Sequence, residues 1–208
     1  MENDASALIA RNCSDPLYRE ASRRMIALFA RAQRLPLKNP DAVALATSAA
    51  DGLPSVRMVL AKSVDERGIV FYTNANSRKG RELQARPYAA LCFYWEALDR
   101  QLRVEGPVLR VDDSEADAYW ARRPRESQIG AWVSRQSHEL ASREELETAF
   151  ARRCAEFAGQ SVPRPPYWVG FLVVPQRIEF WESRPARLHH REVFERTDDG
   201  WRRKLLYP

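Results

Sequence analysis

Short β-rich runs separated by tight turns dominate the chain after residue 42, and they constrain the fold most. The first three runs are AVALATSA, SVRMVLAKSV and IVFYTN, separated by turn signals at Asp51-Gly52 and at Asp65–Gly68. The later runs are YAALCFYW, RQLRVEGPVLRV, VGFLVVP, RIEFWE, HREVFER and WRRKLLY. A long series of short antiparallel strands favours a barrel over a sandwich.

Helical patterns flank and interrupt these strands. Asp15-Pro16 supplies a capping carboxylate and a proline at the first helical position, and apolar residues recur at helical spacing over residues 16–34. Shorter helices are predicted after the cap residues Ser77, Asp113 or Ser114, and Ser142. Residues 1–14 carry no such pattern, so we expect a mobile segment there and a single domain over residues 15–208.

Composition excludes several classes of function. No apolar run in the 208 residues approaches the length of a membrane span, and the first residues lack the features of a leader, so the expected location is cytoplasmic. Three scattered cysteines and three histidines predict neither a disulfide framework nor a metal site. The net charge of +5 is spread along the chain without a nucleic-acid motif, so neither nucleic acid nor membrane is an expected partner.

The segment Arg123–Ser137, RPRESQIGAWVSRQS, is unusually rich in hydrogen-bond donors. It places three arginines, three serines and two glutamines around a small apolar island. Arginine forks and short neutral donors suit a phosphate, which offers only acceptor oxygens. A solvated loop after a helix is the alternative interpretation.

Two cations stand at the ends of the apolar strand RMVLAK. Strand alternation puts Arg57 on one face of the sheet and Lys62 on the other. They either reach water at the rims or bind ligands on the two sides of the sheet.

A helix start with cations follows the strand that ends at Tyr72-Thr73. Arg78 and Lys79 lie in the first turn of the predicted helix, where the exposed amides and the dipole already favour an anion. This arrangement is typical of an anion site, although an unoptimised surface helix would have the same pattern.

Two further clusters carry polar groups. Tyr119, Arg123 and Ser127 are spaced by four, and because Pro124 interrupts a continuous helix, we expect them to converge at a helix end. Tyr119 could otherwise be a core aromatic. In RLHHR, strand alternation would put Arg187, His189 and Arg191 on one face, with Trp181 nearby, and this face needs an anionic partner.

Taken together, these motifs resemble the pyridoxamine 5′-phosphate oxidase family. The likeness runs from about residue 40 to residue 208 and rests on RMVLAK, FYTNANSRKG, Asp99-Arg100-Gln101, RPRESQIGAWVSRQS, IEFW and RLHHR. The resemblance implies a mainly β fold, a split β-barrel of the flavin mononucleotide (FMN) binding type with flanking helices. It also implies a homodimer with FMN in clefts between the subunits.

The resemblance also implies roles for individual residues. The FMN-binding set would be Arg57, Met58, Val59, Leu60, Ala61, Lys62, Tyr72, Thr73, Arg78, Lys79, Gln101, Gln136, Ser137, Trp181 and Arg191. The FMN phosphate would fall to Arg57, Lys79 and Ser137 among others. The substrate-binding set would be Lys62, Tyr119, Arg123, Ser127, Arg187 and His189, the last two being catalytic.

The activity implied is oxidation of pyridoxamine and pyridoxine 5′-phosphates to pyridoxal 5′-phosphate, with O₂ as acceptor and hydrogen peroxide as product. The alternatives are an FMN oxidase of phenazine biosynthesis and a non-catalytic flavin or pyridoxal-phosphate binding protein. Two features depart from the family pattern. The residues before Asp15 do not match the arm that closes over substrate in family members, and His190 stands where an acidic residue is common.

Overall fold

The barrel is built from antiparallel strands that form one continuous sheet in the computed structural model, which describes residues 2–208 and the side chains of residues 6–208. The strands are β1 (Ala42–Ser48), β2 (Pro54–Asp65), β3 (Gly68–Asn74), β4 (Tyr88–Trp95), β5 (Arg100–Arg110), β6 (Trp168–Val173), β7 (Arg177–Glu182), β8 (His190–Thr197) and β9 (Gly200–Leu206). Their order is β4-β1-β2-β3-β6-β5-β7-β8-β9, and β4 also pairs with β5. That last pairing closes six strands into a barrel and confirms the predicted fold class.

Strand β5 is the point at which the barrel splits. Residues 100–105 pair with β7, while residues 108–110 pair with β6, so one edge of β5 serves two partners. Gly106 lies between the two pairings, where an added Cβ would come within 1.9 Å of the Val174 carbonyl oxygen. Only glycine permits this close approach. Strands β7, β8 and β9 therefore extend from the barrel as a separate wing.

The helices flank the barrel. They are α1 (Glu2–Ser14), α2 (Pro16–Gln33), α3 (Arg78–Ala85), α4 (Asp113–Ala121), α5 (Arg125–Val133) and α6 (Arg143–Glu156). Helix α2 begins as predicted, because the Asp15 carboxylate accepts hydrogen bonds from the amides of Leu17 and Tyr18. Its buried Tyr18 and Met25 join inward-facing strand residues in the main hydrophobic core.

Helix α1 was not predicted. The side chain of Asn12 in this helix is buried. It donates a hydrogen bond to the Pro175 carbonyl at 2.9 Å and accepts one from the Trp201 indole at 3.1 Å. These partners are more than 160 residues away, so hydrophobic periodicity gives no signal for them.

Helix α5 was also missed, and here the proline was misleading. Pro124 does interrupt the helix that begins at Asp113, as predicted. It also stands at the N-cap of a new helix, α5, where the sequence predicted a loop. Within residues 2–208, no helix has both the length and the apolar character needed to cross a bilayer.

Candidate functional site

A pocket of about 270 Å³ lies beside β2 and β3 and is bordered by the residues around α4 and α5. Its lining residues are Met58, Val59, Leu60, Lys62, Tyr72, Thr73, Lys79, Tyr119, Arg123 and Gln136. Every one of them belongs to the set that the family resemblance implies for FMN or substrate. The structure therefore brings together residues from segments up to 78 positions apart.

Lys79 is one of the three cations that line the pocket. Its Nζ donates to Thr73 Oγ1 at 3.2 Å, Ser77 Oγ at 3.2 Å and Gln136 Oε1 at 3.3 Å, and all three acceptors are neutral. Burial, together with the nearby Arg57 guanidinium, lowers the pKa of Lys79. An anion in the pocket would relieve both effects.

Arg57 is held by a buried carboxylate next to this site. Glu82 accepts hydrogen bonds from Thr47 Oγ1 at 2.5 Å, Ser55 Oγ at 2.6 Å, Arg57 Nη2 at 3.0 Å and Arg78 Nε at 2.8 Å. Burial alone would raise the pKa of Glu82, but these hydrogen bonds outweigh it and lower the pKa to about 2. The carboxylate is therefore ionised at neutral pH.

The charges around the start of α3 suit a phosphate. Arg57, Arg78 and Lys79 bring three cations, and only Glu82 is ion-paired with any of them among residues 6–208. The remaining excess of positive charge matches a phosphate monoester dianion. The Ser77 cap also places the first amides of α3 here, a common anion-binding arrangement. The residues present thus fit the phosphate of FMN.

Arg123, a second cation that lines the pocket, lies against an aromatic stack. Tyr72 stacks on Tyr119 with ring centroids 4.3 Å apart and on Trp168 at 5.0 Å, while the Arg123 Cζ lies 4.8 Å from the Trp168 centroid. The Arg123 Nε is buried and has no acceptor among the described residues. Its Nη2 donates to the Ser127 carbonyl at 3.1 Å, and burial lowers the pKa of Arg123. The guanidinium is therefore oriented but still needs an acceptor.

Strand β2 alternates as predicted. Met58 and Leu60 are 63% and 40% exposed, whereas Ala61 is buried in the barrel core. The Ala61 side chain therefore does not reach the pocket. Lys62, at the end of the strand, forms an ion pair with Asp41 at 2.5 Å.

Several other predicted residues do not line the pocket. Arg57 points to Glu82, and the exposed Arg78 does the same from α3. The side chains of Ser127 and Ser137 are at exposed positions, and Ser137 has a φ of 67°.

A second group of predicted residues lies on the wing. Gln101, Trp181 and Arg191 are register partners across β5, β7 and β8. The Arg191 Nε donates to the buried Glu179 at 2.8 Å, which fixes its direction. We call Gln101, Trp181, Arg187, His189 and Arg191 the wing set, and the residues that line the pocket the pocket set. No member of the wing set lines the pocket.

The prediction of a continuous strand through RLHHR is wrong. Residues Pro185–Arg187 form a 3₁₀ turn in which Ala186 and Arg187 have φ values of 55° and 60°, and β8 begins only at His190. Left-handed residues break strand alternation. His189 still approaches Trp181, with ring centroids 4.6 Å apart.

The hydrogen bond to His189 determines which ring nitrogen carries the proton. The Arg184 amide donates to His189 Nδ1 at 3.2 Å. In the neutral ring, Nδ1 is then the acceptor and the proton resides on Nε2. His189 therefore presents a hydrogen-bond donor away from its own backbone.

A split barrel with a cationic pocket that fits a phosphate is typical of the flavin-binding split-barrel proteins. Residues 29–153 match the family model described as pyridoxamine 5′-phosphate oxidase. Residues 168–208 match the model described as pyridoxine 5′-phosphate oxidase C-terminal dimerisation region. The chain belongs to the pyridoxamine 5′-phosphate oxidase family of FMN-dependent oxidoreductases.

Two curated relatives and one solved structure support this family assignment. The pyridoxine/pyridoxamine 5′-phosphate oxidase of Myxococcus xanthus (strain DK1622) is 56% identical over 93% of this chain and 92% of its own length. That of Anaeromyxobacter dehalogenans is 54% identical over 93% of this chain and its full length. PhzG from Burkholderia lata, solved with tetrahydrophenazine-1-carboxylic acid, has a TM-score of 0.82 at 35% identity and covers 94% of this chain and 93% of its own.

Three residues at the site were not predicted from the sequence. Asp41 pairs with Lys62, Trp168 supports Arg123, and Glu82 holds two arginines. Only Glu82 left a local signal, because it follows Arg78 by four residues on one helix face.

Proposed function

We propose that the chain catalyses FMN-dependent oxidation of pyridoxamine 5′-phosphate and pyridoxine 5′-phosphate to pyridoxal 5′-phosphate, with O₂ as acceptor and hydrogen peroxide as product. The observation that carries this proposal is a single pocket with two separate cationic anchors. Lys79 contacts Thr73 and Gln136, Arg123 lies against Trp168, and both cations line the pocket. Two anchors suit two phosphorylated molecules, a cofactor and a substrate.

The cofactor would be held through its phosphate by Lys79 and Arg57, with Thr73 and Gln136 alongside. The chemistry that bound FMN supplies is acceptance of a hydride equivalent from the substrate 4′-carbon and delivery of both electrons to O₂. The contribution of the chain is orientation and charge, because the redox chemistry itself belongs to the cofactor.

The substrate phosphate would be bound by Arg123, Lys62, Tyr119 and Ser127. The buried Arg123 Nε, which has no acceptor among the described residues, makes this guanidinium the main anchor. Its contact with Trp168 restricts its motion before the ligand arrives. An uncharged analogue would leave this group unsatisfied, which provides discrimination against substrates that lack the phosphate.

Arg187 and His189 would orient the pyridine ring of the substrate. The proton on His189 Nε2 can be donated to an acceptor oxygen of the ring, while the Arg184 amide keeps the imidazole in this tautomer. No carboxylate among residues 6–208 forms an ion pair with Arg187, so its charge is available to a ligand. When the substrate is the amine, water hydrolyses the resulting imine and ammonia leaves.

A complete site would require a homodimer, with the pocket set from one copy and the wing set from its partner. The pocket is smaller than the roughly 300–1,000 Å³ of typical ligand sites. Four of the five wing residues lie within 168–208, the segment that matches the dimerisation region. Val56 and Met58 on β2 are 70% and 63% exposed, an apolar face that a second copy would cover.

An oxidase of a phenazine precursor is the second candidate, and its support is the similarity to PhzG. The identity to that protein is 35%, against 56% to the Myxococcus relative. The phosphate anchors at Lys62, Tyr119 and Arg123 also favour the phosphorylated pyridine.

Oxygen consumption by the FMN-saturated protein tests the proposal. We expect uptake and peroxide with pyridoxamine 5′-phosphate and little of either with a dihydrophenazine carboxylic acid. The reverse preference would support the phenazine reaction, and no uptake with either substrate would indicate a binding protein.

A further inference from the structure

We propose that Glu82 is a positioning residue that fixes the guanidinium groups of Arg57 and Arg78 for the phosphate of the cofactor. The inference deepens the proposed function and rests on its assignment of that phosphate to the start of α3. Glu82 has no assigned role in the pocket set or the wing set, and it does not line the pocket.

The first argument is the geometry of the carboxylate. Glu82 is 6% exposed, and its four hydrogen-bond partners come from three different elements, β1, β2 and α3. All four partners donate. An ionised carboxylate offers about four acceptor positions, so it can satisfy all of them, whereas an amide offers one acceptor oxygen and two donor hydrogens.

The hydrogen bonds also cross-link the strands to the helix start. Arg57 donates to the hydroxyls of Thr47 and Ser55 as well as to Glu82, so its fork is held on several sides. Arg78 reaches the other carboxylate oxygen through its Nε. The Arg57 guanidinium therefore takes a fixed position before an anion binds and Arg78 is directed to the same carboxylate, which lowers the entropic cost of binding.

The electrostatic effect of Glu82 opposes this benefit. A carboxylate near an anion site repels the anion, so charge alone predicts tighter phosphate binding when Glu82 is neutralised. Orientation predicts weaker binding, because a glutamine would leave two of the four donors without an acceptor. The low exposure of Glu82 favours orientation, since unsatisfied groups are most costly where water cannot reach them.

The test is flavin binding by the full-length chain freed of flavin, measured by fluorescence quenching with FMN and with riboflavin, which lacks the phosphate. For Glu82→Gln we expect FMN affinity to fall about tenfold or more while riboflavin affinity changes less than about threefold. Equal loss of both flavins would show a merely structural role. Unchanged or tighter FMN binding would also overturn the inference.

Glu192→Gln is the matched control. Glu192 is 3% exposed and paired with Arg24 and Arg203, none of which belongs to the pocket set or the wing set. It should lower thermal stability without changing the ratio of FMN to riboflavin affinity.

Glu82→Asp keeps the carboxylate and serves if the glutamine variant does not fold. The shorter side chain should reduce the ratio of FMN to riboflavin affinity by about threefold, and an unchanged ratio would count against the inference. A wild-type chain that does not prefer FMN to riboflavin would instead refute the phosphate assignment in the proposed function.

Discussion

The two pocket cations Lys79 and Arg123 differ from Arg187 of the wing set in how the chain supports them. Lys79 and Arg123 are partly buried, and each is held by neighbours in its own chain. Arg187 stands exposed on a turn with left-handed backbone. The comparison indicates that the two pocket cations are preorganised within one chain, whereas Arg187 is left open to a ligand or, in the dimer proposed above, to a second copy.

Burial explains this division physically. A cation inside a pocket loses hydration and needs fixed partners, which Thr73 and Gln136 provide for Lys79. An exposed arginine keeps its hydration until a partner or ligand covers it. Substitutions of Lys79 or Arg123 should therefore weaken ligand binding, whereas substitutions of Arg187 or His189 should mainly lower turnover.

The largest effect is expected for Arg123→Ala. Loss of the charge-assisted contact should weaken transition-state and ground-state binding of the phosphorylated substrate by about 2–4 kcal/mol, mainly as a higher KM. FMN affinity should hardly change. Steady-state kinetics with parallel flavin titration measure both, and Arg122→Ala, at an exposed position next to it, is the control. Equal loss of flavin would mean that the two anchors are assigned to the wrong ligands.

A medium effect is expected from pH on FMN binding. Burial and the nearby Arg57 lower the pKa of Lys79 in the folded, flavin-free chain, so Lys79 loses its proton at a lower pH than an ordinary lysine. Phosphate binding favours the charged form, so FMN affinity should be full below that pKa and fall about tenfold per pH unit above it. Lys79→Arg should remove this decline, and a wild-type profile that matches the arginine variant would exclude Lys79 from the phosphate site.

The smallest effect is expected for Tyr119→Phe. The ring stack with Tyr72 remains, and only the hydroxyl is lost. Substrate binding should therefore weaken by about 1 kcal/mol, which corresponds to a KM roughly fivefold higher. Tyr167→Phe removes a hydroxyl that lies 3.3 Å from the Ala131 carbonyl oxygen and should leave KM unchanged. If both variants keep the wild-type KM, the Tyr119 hydroxyl does not bind the substrate, and Tyr119 contributes only to the aromatic stack.

Local patterns in the sequence predicted most of the fold. The helix after Asp15, the hairpin strands and the capped helix at Ser77 are all present, because caps, turns and alternation act over a few residues. Helix α1 could not be predicted, since Asn12 finds its partners at the far end of the chain. Helix α5 was missed because Pro124 fits either a break or a start.

In the site, too, local motifs could be predicted and contacts between distant residues could not. All residues that line the pocket could be named from motifs and from resemblance to a family. Glu82 could not, because its importance depends on Thr47 and Ser55, which lie 35 and 27 residues away on neighbouring strands. The turn at Ala186 and Arg187 could not either, because left-handed backbone is unusual at residues with side chains.

Subunit complementation tests most directly whether one site joins two copies. At substrate concentrations below the wild-type KM, Arg123→Ala and His189→Ala chains are each expected to have low activity, and we propose co-expressing them with different tags. Random pairing makes about half of the dimers hybrid with one intact site each, so activity should recover to about one quarter of wild type. The control pairs Arg123→Ala with Lys79→Ala, both in the pocket set, and should show no recovery.

The hybrid dimer, isolated through both tags, gives the deciding measurement. Our account predicts about half the wild-type turnover per dimer, because one of the two active sites is intact and has the wild-type KM. A hybrid no more active than its parents would show that each chain builds its site alone, and would contradict the division between pocket set and wing set.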